Sequence, residues 1–228
     1  MHANAILCDL DGTLLDTVAD IAFAVNTTLR DLGRATISTA AVTAYVGQGV
    51  DVLLHRALSG DREGRVHADL LQRARARFDP VYIAVNGQNA RIYPGVEEGL
   101  SRFAALGLRL GCVTNKPQRA AEVILVQFDL ARHFDCVVGG DALPQRKPAP
   151  QPFWHAADRL GVPRADCLVL GDSANDANGA RAAGMRVALV DYGYSEGRPI
   201  SEIDCDAVFS SFVELADMLE AHDCTEPR

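Results

Sequence analysis

Hydrophobic and polar positions change their spacing twice along this chain. The first run is unbroken: Ala5-Ile6-Leu7-Cys8 is apolar at every position and stops at Asp9-Leu10-Asp11-Gly12. A short continuous apolar run ended by a turn signal predicts a strand buried on both faces, as at the parallel centre of an α/β sheet. From Thr17 the spacing becomes helical, with Ile21, Val25, Thr28, Leu29 and Leu32 on one face and Gly33 as a stop. Ser38 or Thr39 can cap a second, short helix that reaches Val46. Gly47-Gln48-Gly49 interrupts, a third helix carries Val52, Leu53 and Leu58, and a long one carries Leu70, Leu71, Ala74, Phe78, Val81 and Tyr82. Residues 17–85 read as helical throughout.

Strand–helix alternation resumes after Tyr93-Pro94-Gly95. Strands are expected at 108–113, 134–138, 167–170, 187–190 and 207–209. Helices are expected at 96–106, 118–128, 177–183 and 212–221, with a further one that Pro150 can open. Residues 223–228 form a polar tail expected to fray. Repeated strand–helix units imply a parallel sheet with right-handed crossovers and helices on both faces. The expected fold class is therefore α/β: a doubly wound, mostly parallel, Rossmann-like sheet, with a small all-helical cap inserted after the first strand. The core is assigned to 1–15 and 91–228, and the cap to 16–90.

Composition narrows the function by exclusion. The chain has 228 residues, 48% of them apolar and 23% charged, an ordinary balance for a soluble globular protein. A net charge of −8 gives no electrostatic support for binding a nucleic-acid backbone. No apolar stretch is long enough to span a membrane, and no basic segment precedes an apolar one at the N-terminus, so neither a membrane partner nor a signal peptide is expected. The six cysteines are scattered without a C-x-x-C pair, and four of them (8, 112, 136 and 167) lie in or beside strand-like runs, where Cys acts as a small buried apolar residue. A reducing cytoplasm is the expected location.

Four polar clusters fall at strand ends or in loops that can reach them: Asp9/Asp11, Thr114/Asn115, Lys147 and Asp172/Asp176. Each alone has an ordinary explanation. Asp11-Gly12 fits a turn, Thr114-Asn115 a helix cap, Lys147 a solvated surface lysine, and Gly171-Asp172-Ser173 a capped strand-to-helix turn. Open α/β sheets, however, bind ligands just beyond the carboxyl ends of their strands, where all four meet. Two carboxylates at one strand end are costly to bury unless a cation relieves them.

The stretches D-L-D-G-T (9–13), T-N (114–115), R-K-P (146–148) and G-D-S-x-N-D (171–176) resemble, in order and spacing, the four motifs of the haloacid dehalogenase-like phosphatases. The resemblance spans essentially the whole chain, helical cap included. Three further features resemble the phosphoglycolate phosphatase branch of that family: the segment Tyr45-Val46-Gly47-Gln48-Gly49-Val50-Asp51-Val52-Leu53, V-T-N-K-P (113–117), and G-G-D (139–141) ahead of R-K-P-x-P. Two features depart from the pattern. Cys8 stands where an aromatic is usual, and Ala177-Asn178-Gly179 is less apolar than the usual helix start.

The resemblance implies Asp9 as a nucleophile that forms a phospho-aspartate and Asp11 as general acid and then base. It implies a Mg²⁺ site drawing on Asp9, Asp11 (through its backbone carbonyl), Asp172 and Asp176, the last from the first or second shell of ligands. Thr114 and Asn115 would bind phosphoryl oxygens, and Lys147 would neutralise the charge shared by nucleophile and phosphate. Gln48 and Arg56 in the cap are candidates for choosing the substrate, although Gly47-Gln48-Gly49 also fits a plain break between helices and Arg56 a surface arginine. The substrate class is a small phosphomonoester, with 2-phosphoglycolate favoured. Alternatives are a sugar-phosphate phosphatase, a pyrophosphatase or a phosphomutase of the same family, or a non-enzymatic phospho-acceptor module. Either a monomer or a homodimer is compatible with the sequence.

Overall fold

The computed structural model describes residues 3–223. In chain order the regular elements begin with β1 (Ala5–Cys8) and β2 (Leu15–Asp16). Four helices follow: α1 (Val18–Asp31), α2 (Thr39–Tyr45), α3 (Val50–Ser59) and α4 (Ala68–Val85). Then come β3 (Arg91–Ile92), α5 (Val96–Ala105), β4 (Arg109–Val113), α6 (Gln118–Gln127), β5 (Cys136–Val138) and α7 (Gln151–Leu160). The chain closes with β6 (Cys167–Gly171), α8 (Ala174–Ala183), β7 (Arg186–Val190), β8 (Ala207–Phe209) and α9 (Phe212–Asp223).

Six strands form one wholly parallel sheet in the order β5-β4-β1-β6-β7-β8, so the order reverses direction around β1. β1 is buried at all four positions, which is why its sequence does not alternate. One sheet face packs Ile6, Leu110 and Leu168 against α5, α6 and α9, where Phe103 and Phe212 sit with ring centroids 6.0 Å apart. The other face packs Leu7, Val169 and Leu189 against α7 and α8, with Phe153 at its centre. Each such fully buried side chain contributes about 1.5–3 kcal/mol.

Helices α1–α4 bury a separate apolar cluster built around Leu29, Leu54, Ala74 and Phe78, which Tyr194 from the loop after β7 joins. Ser38 caps α2, its hydroxyl accepting the Ala41 N–H at 3.1 Å. The chain enters this unit beside β2 and leaves it beside β3, and these two-residue strands pair antiparallel as a small ribbon. Two residues show no period, and the ribbon is absent from the hydropathy pattern. Asp20, buried in α1, clamps the same crossing: its carboxylate accepts the N–H groups of Gly87 and Asn89, each at 2.9 Å.

Two expected element starts move by more than one residue. α8 starts at Ala174, three residues before the expected start, because Ser173 and Asp176 form a reciprocal capping box. β5 starts at Cys136 because a 3₁₀ turn at Ala131–His133 precedes it. Most of the expected polar tail (224–228) lies outside the described residues, as does Cys224. Cys8, Cys112, Cys136 and Cys167 are buried free thiols, and Cys205 is a partly exposed one. No described helix is long and apolar enough to cross a membrane.

Candidate active site

β1 carries Asp9 to the carboxyl edge of the sheet, and the Asp9 N–H still pairs with Leu170 O at 2.9 Å. Gly12 then turns the chain with φ +89°. A Cβ at this position would overlap the Asp172 carboxylate, so the turn and the approach of the β6 loop both require glycine. On the two strands flanking β1, Thr114 follows β4 and Asp172 follows β6.

Lys147 Nζ is buried among three oxygens. It donates to Val113 O at 2.8 Å and to Asp176 Oδ1 at 2.8 Å, and it lies 2.7 Å from Asp9 Oδ1. The last contact is an ion pair whose angles fall outside hydrogen-bond geometry, so Asp9 Oδ1 is buried without a hydrogen-bond partner. Burial alone would lower the Lys147 ammonium, but the Asp176 and Asp9 carboxylates outweigh it and hold the group above the usual lysine range.

Asp9, Asp172 and Asp176 bring carboxylate oxygens within 4.8 Å of one another, all three residues buried. Burial pushes the Asp9 carboxyl up to about 7 against the pull of Lys147. Burial, with the charges of Asp176 and Asp9, pushes Asp172 well above the usual carboxylate range. Three acidic groups face the single ammonium of Lys147, an imbalance of two charges that a divalent cation matches. Oxygen-only donors suit a hard ion. The cluster can therefore hold a metal.

Three of the expected contributors have further partners within the protein. Asp176 Oδ2 accepts the Ser173 hydroxyl at 2.9 Å and the N–H groups of Ser173 and Asp172 at 3.2 and 3.3 Å. Its carboxylate thus braces Lys147 and the turn into α8. The Asp11 side chain lies outside the cluster, where its Oδ1 accepts from the Thr17 hydroxyl at 2.6 Å and pairs with Lys116 Nζ at 3.1 Å. Asp172 is held by the Tyr194 N–H at 2.6 Å and the Thr13 hydroxyl at 3.4 Å.

The structure gives three of the residues expected to contact substrate partners within the protein. Asn115 lines the cavity, and its Nδ2 donates to Gly47 O at 2.7 Å and Lys147 O at 2.9 Å, tying the cap loop to the core at the cavity wall. Thr114 keeps its place among the cavity-lining residues. Arg56 is 2% exposed and does not line the cavity; it donates to Arg62 O at 2.8 Å and Tyr45 O at 3.0 Å, holding the cap's own backbone. Gln48 Nε2 donates to Glu196 Oε2 at 3.3 Å and likewise lies outside the lining.

The cavity between the sheet edge and the helices has about 600 Å³ of space, partly open to solvent. Lys116, Tyr82, Tyr194 and Glu196 line it and were not singled out by the motifs. Lys116 follows Asn115 within V-T-N-K-P and was the most findable of them. Glu196 lies in a loop without a period, and it accepts hydrogen bonds from Asn175 and Gln48 and an ion pair from Arg62 at 3.4 Å.

Comparison with known proteins agrees with this geometry. The family model for the haloacid dehalogenase-like hydrolases matches residues 3–184. The chain belongs to the haloacid dehalogenase-like hydrolases. Among this family's members, the phosphoglycolate phosphatase of Nitrosospira multiformis is 44% identical over 95% of this chain and 96% of its own. That of Thiobacillus denitrificans is 40% identical over 95% of each chain. The crystal structure of a predicted phosphoglycolate phosphatase from Haemophilus somnus is 33% identical and superposes with a TM-score of 0.88, covering 97% of this chain and 99% of the other.

Proposed function

We propose that this haloacid dehalogenase-like hydrolase is a Mg²⁺-dependent phosphatase that converts 2-phosphoglycolate to glycolate and inorganic phosphate. The observation that carries the reaction type is the ion pair of Asp9 with Lys147 at 2.7 Å, set at a strand end and beside two further buried carboxylates. The substrate is supported by the Nitrosospira and Thiobacillus relatives named above, which match this chain over nearly its full length at 44% and 40% identity.

In this reading one Asp9 oxygen attacks phosphorus as the bond to the leaving oxygen breaks, and Asp11 gives that oxygen its proton. The products of the first step are glycolate and an acyl phosphate on Asp9. Water then attacks that phosphorus, Asp11 takes its proton, and phosphate leaves with Asp9 regenerated. Lys147 offsets the negative charge that nucleophile and phosphoryl group share, and Thr114 orients a phosphoryl oxygen. Asp9 and Asp172 would hold the Mg²⁺ directly, with the Asp11 backbone carbonyl, while Asp176 steadies Lys147 beside them. When bound, the ion supplies positive charge that draws the phosphate to an anionic nucleophile.

Residues 16–90 act as a lid that excludes water from the cavity. The test is a panel of small phosphomonoesters assayed for phosphate release with Mg²⁺. The expected result is highest kcat/KM for 2-phosphoglycolate. Turnover of sugar phosphates or pyrophosphate at higher kcat/KM would replace the substrate, and no turnover of any ester would remove the enzyme reading.

A further inference from the structure

Among the described residues, four carboxylates line the cavity, those of Asp9, Asp11, Asp172 and Glu196, against one cation, Lys116. Other basic groups nearby are committed or outside. Lys147 is enclosed by Asp9, Asp176 and Val113 O. Arg62 pairs with Glu196, and Arg56 holds two backbone carbonyls. Arg146 lies against Gly49 from an exposed position and does not line the cavity. The opposite wall is apolar, with Ile21, Leu53 and Phe78.

Lys116 is itself enclosed. Its side chain is 1% exposed, and its ammonium is 3.1 Å from Asp11 Oδ1. It also donates to the Tyr82 hydroxyl from α4 and lies 4.9 Å from the centre of that ring. An ammonium has three N–H donors. Asp11 and Tyr82 take two, leaving one for a ligand oxygen. Asp11 also marks a position: it protonates the bridging oxygen of the substrate, and in 2-phosphoglycolate a single methylene separates that oxygen from the carboxylate. The carboxylate must therefore lie close to Asp11, where Lys116 is the cation within reach.

We propose that Lys116 determines the specificity of this site by binding the carboxylate of the leaving group, an inference that rests on the substrate reading above. A cavity with four acidic groups repels a second substrate anion everywhere except beside this ammonium. Tyr82, on the helical cap, shares Lys116, so the cap helps hold the ammonium in place without contacting the substrate's charge.

The experiment compares two esters of matched shape, 2-phosphoglycolate and ethyl phosphate, which carries a methyl group in place of the carboxylate. The variants are Lys116→Met, Lys116→Arg and Arg146→Ala, with folding checked by circular dichroism. Lys116→Met is expected to lose roughly 10- to 100-fold in kcat/KM for 2-phosphoglycolate and much less for ethyl phosphate. Lys116→Arg, which keeps the charge, should retain part of the preference, and Arg146→Ala should leave the ratio unchanged. If Lys116→Met does not fold, Lys116→Arg is read the same way, as a smaller loss confined to 2-phosphoglycolate. Equal proportional losses on both esters would mean that Lys116 acts only through Asp11, and would overturn the inference while the substrate reading stands. Selectivity lost in Arg146→Ala would also overturn it. Wild-type protein that hydrolyses ethyl phosphate but not 2-phosphoglycolate would remove the substrate reading and this inference with it.

Discussion

Lys147 Nζ donates to Asp176 Oδ1 at 2.8 Å, and the other oxygen of the same Asp176 carboxylate caps the turn into α8. One side chain thus fixes both the ammonium beside Asp9 and the loop that carries Asp172. Asp176→Asn removes the charge that holds Lys147 but keeps the volume and an acceptor oxygen. Because Asp176 acts by orienting other groups, kcat should fall about 10- to 100-fold on every ester alike. The protein should still fold. Steady-state kinetics on two unrelated esters checks this, and wild-type kcat on both would show that Lys147 needs no such brace.

The nucleophile and the acid should separate by leaving group. Asp9→Asn should abolish turnover of all esters, since an amide does not attack phosphorus. Asp11→Asn should cripple steady-state turnover of every ester, because the acyl phosphate on Asp9 still needs a base. It should spare the first-turnover burst of 4-nitrophenolate, a leaving group that needs no proton, and not that of an alkyl alcohol. Equal losses of the first-turnover burst for both ester types in Asp11→Asn would assign the leaving-group proton to another group.

The acidic cluster makes stability depend on pH. Burial raises Asp9 to about 7 and Asp172 well above the usual carboxylate range. A carboxyl whose folded pKa lies above its unfolded value favours folding below the unfolded value, and that contribution is lost as pH rises through the folded one. Metal-free protein should therefore lose Tm between about pH 4 and pH 7 from this source, and Asp9→Asn should flatten the curve. Added Mg²⁺ competes with protons for the same oxygens, so its stabilising effect should grow across that range. Thermal melts with EDTA and with Mg²⁺ at several pH values measure both. Chelation should likewise stop turnover, and Asp172→Ala should need far more metal. A Tm indifferent to Mg²⁺ at pH 8 would count against a metal at this cluster.

The sheet edge was legible in the sequence because each strand is a short apolar run that stops at a polar residue. Asp9, Thr114 and Asp172 occupy such stops, and the parallel order around β1 brings them together. The loop residues were not legible. Glu196 and Tyr194 lie between β7 and β8 in a segment without a period, and only the folded chain places them against Asn175 and Asp172. Asn115 and Arg56 were named for their ability to bind anions, but polar side chains also satisfy backbone carbonyls, and spacing does not distinguish the two uses. Asp20, one carboxylate inside a helical run, carries no motif that marks it in the sequence, yet it is 1% exposed.

Arg56 gives the sharpest test of that distinction. Its guanidinium donates to Arg62 O and Tyr45 O inside the helical cap, at 2.8 and 3.0 Å. Arg56→Ala leaves both carbonyls short of a donor and opens space beside α3. An unpaired buried polar group costs about 1–3 kcal/mol, so a total loss of roughly 2–4 kcal/mol is expected. Gln48→Ala, which loses a single contact with Glu196, should cost far less. Neither change removes a group that lines the cavity. The ratio of kcat/KM for 2-phosphoglycolate to that for ethyl phosphate should therefore hold in both variants, while Tm falls clearly only in Arg56→Ala. An unchanged Tm in Arg56→Ala, with turnover of 2-phosphoglycolate selectively lost, would return Arg56 to the substrate and take the carboxylate away from Lys116.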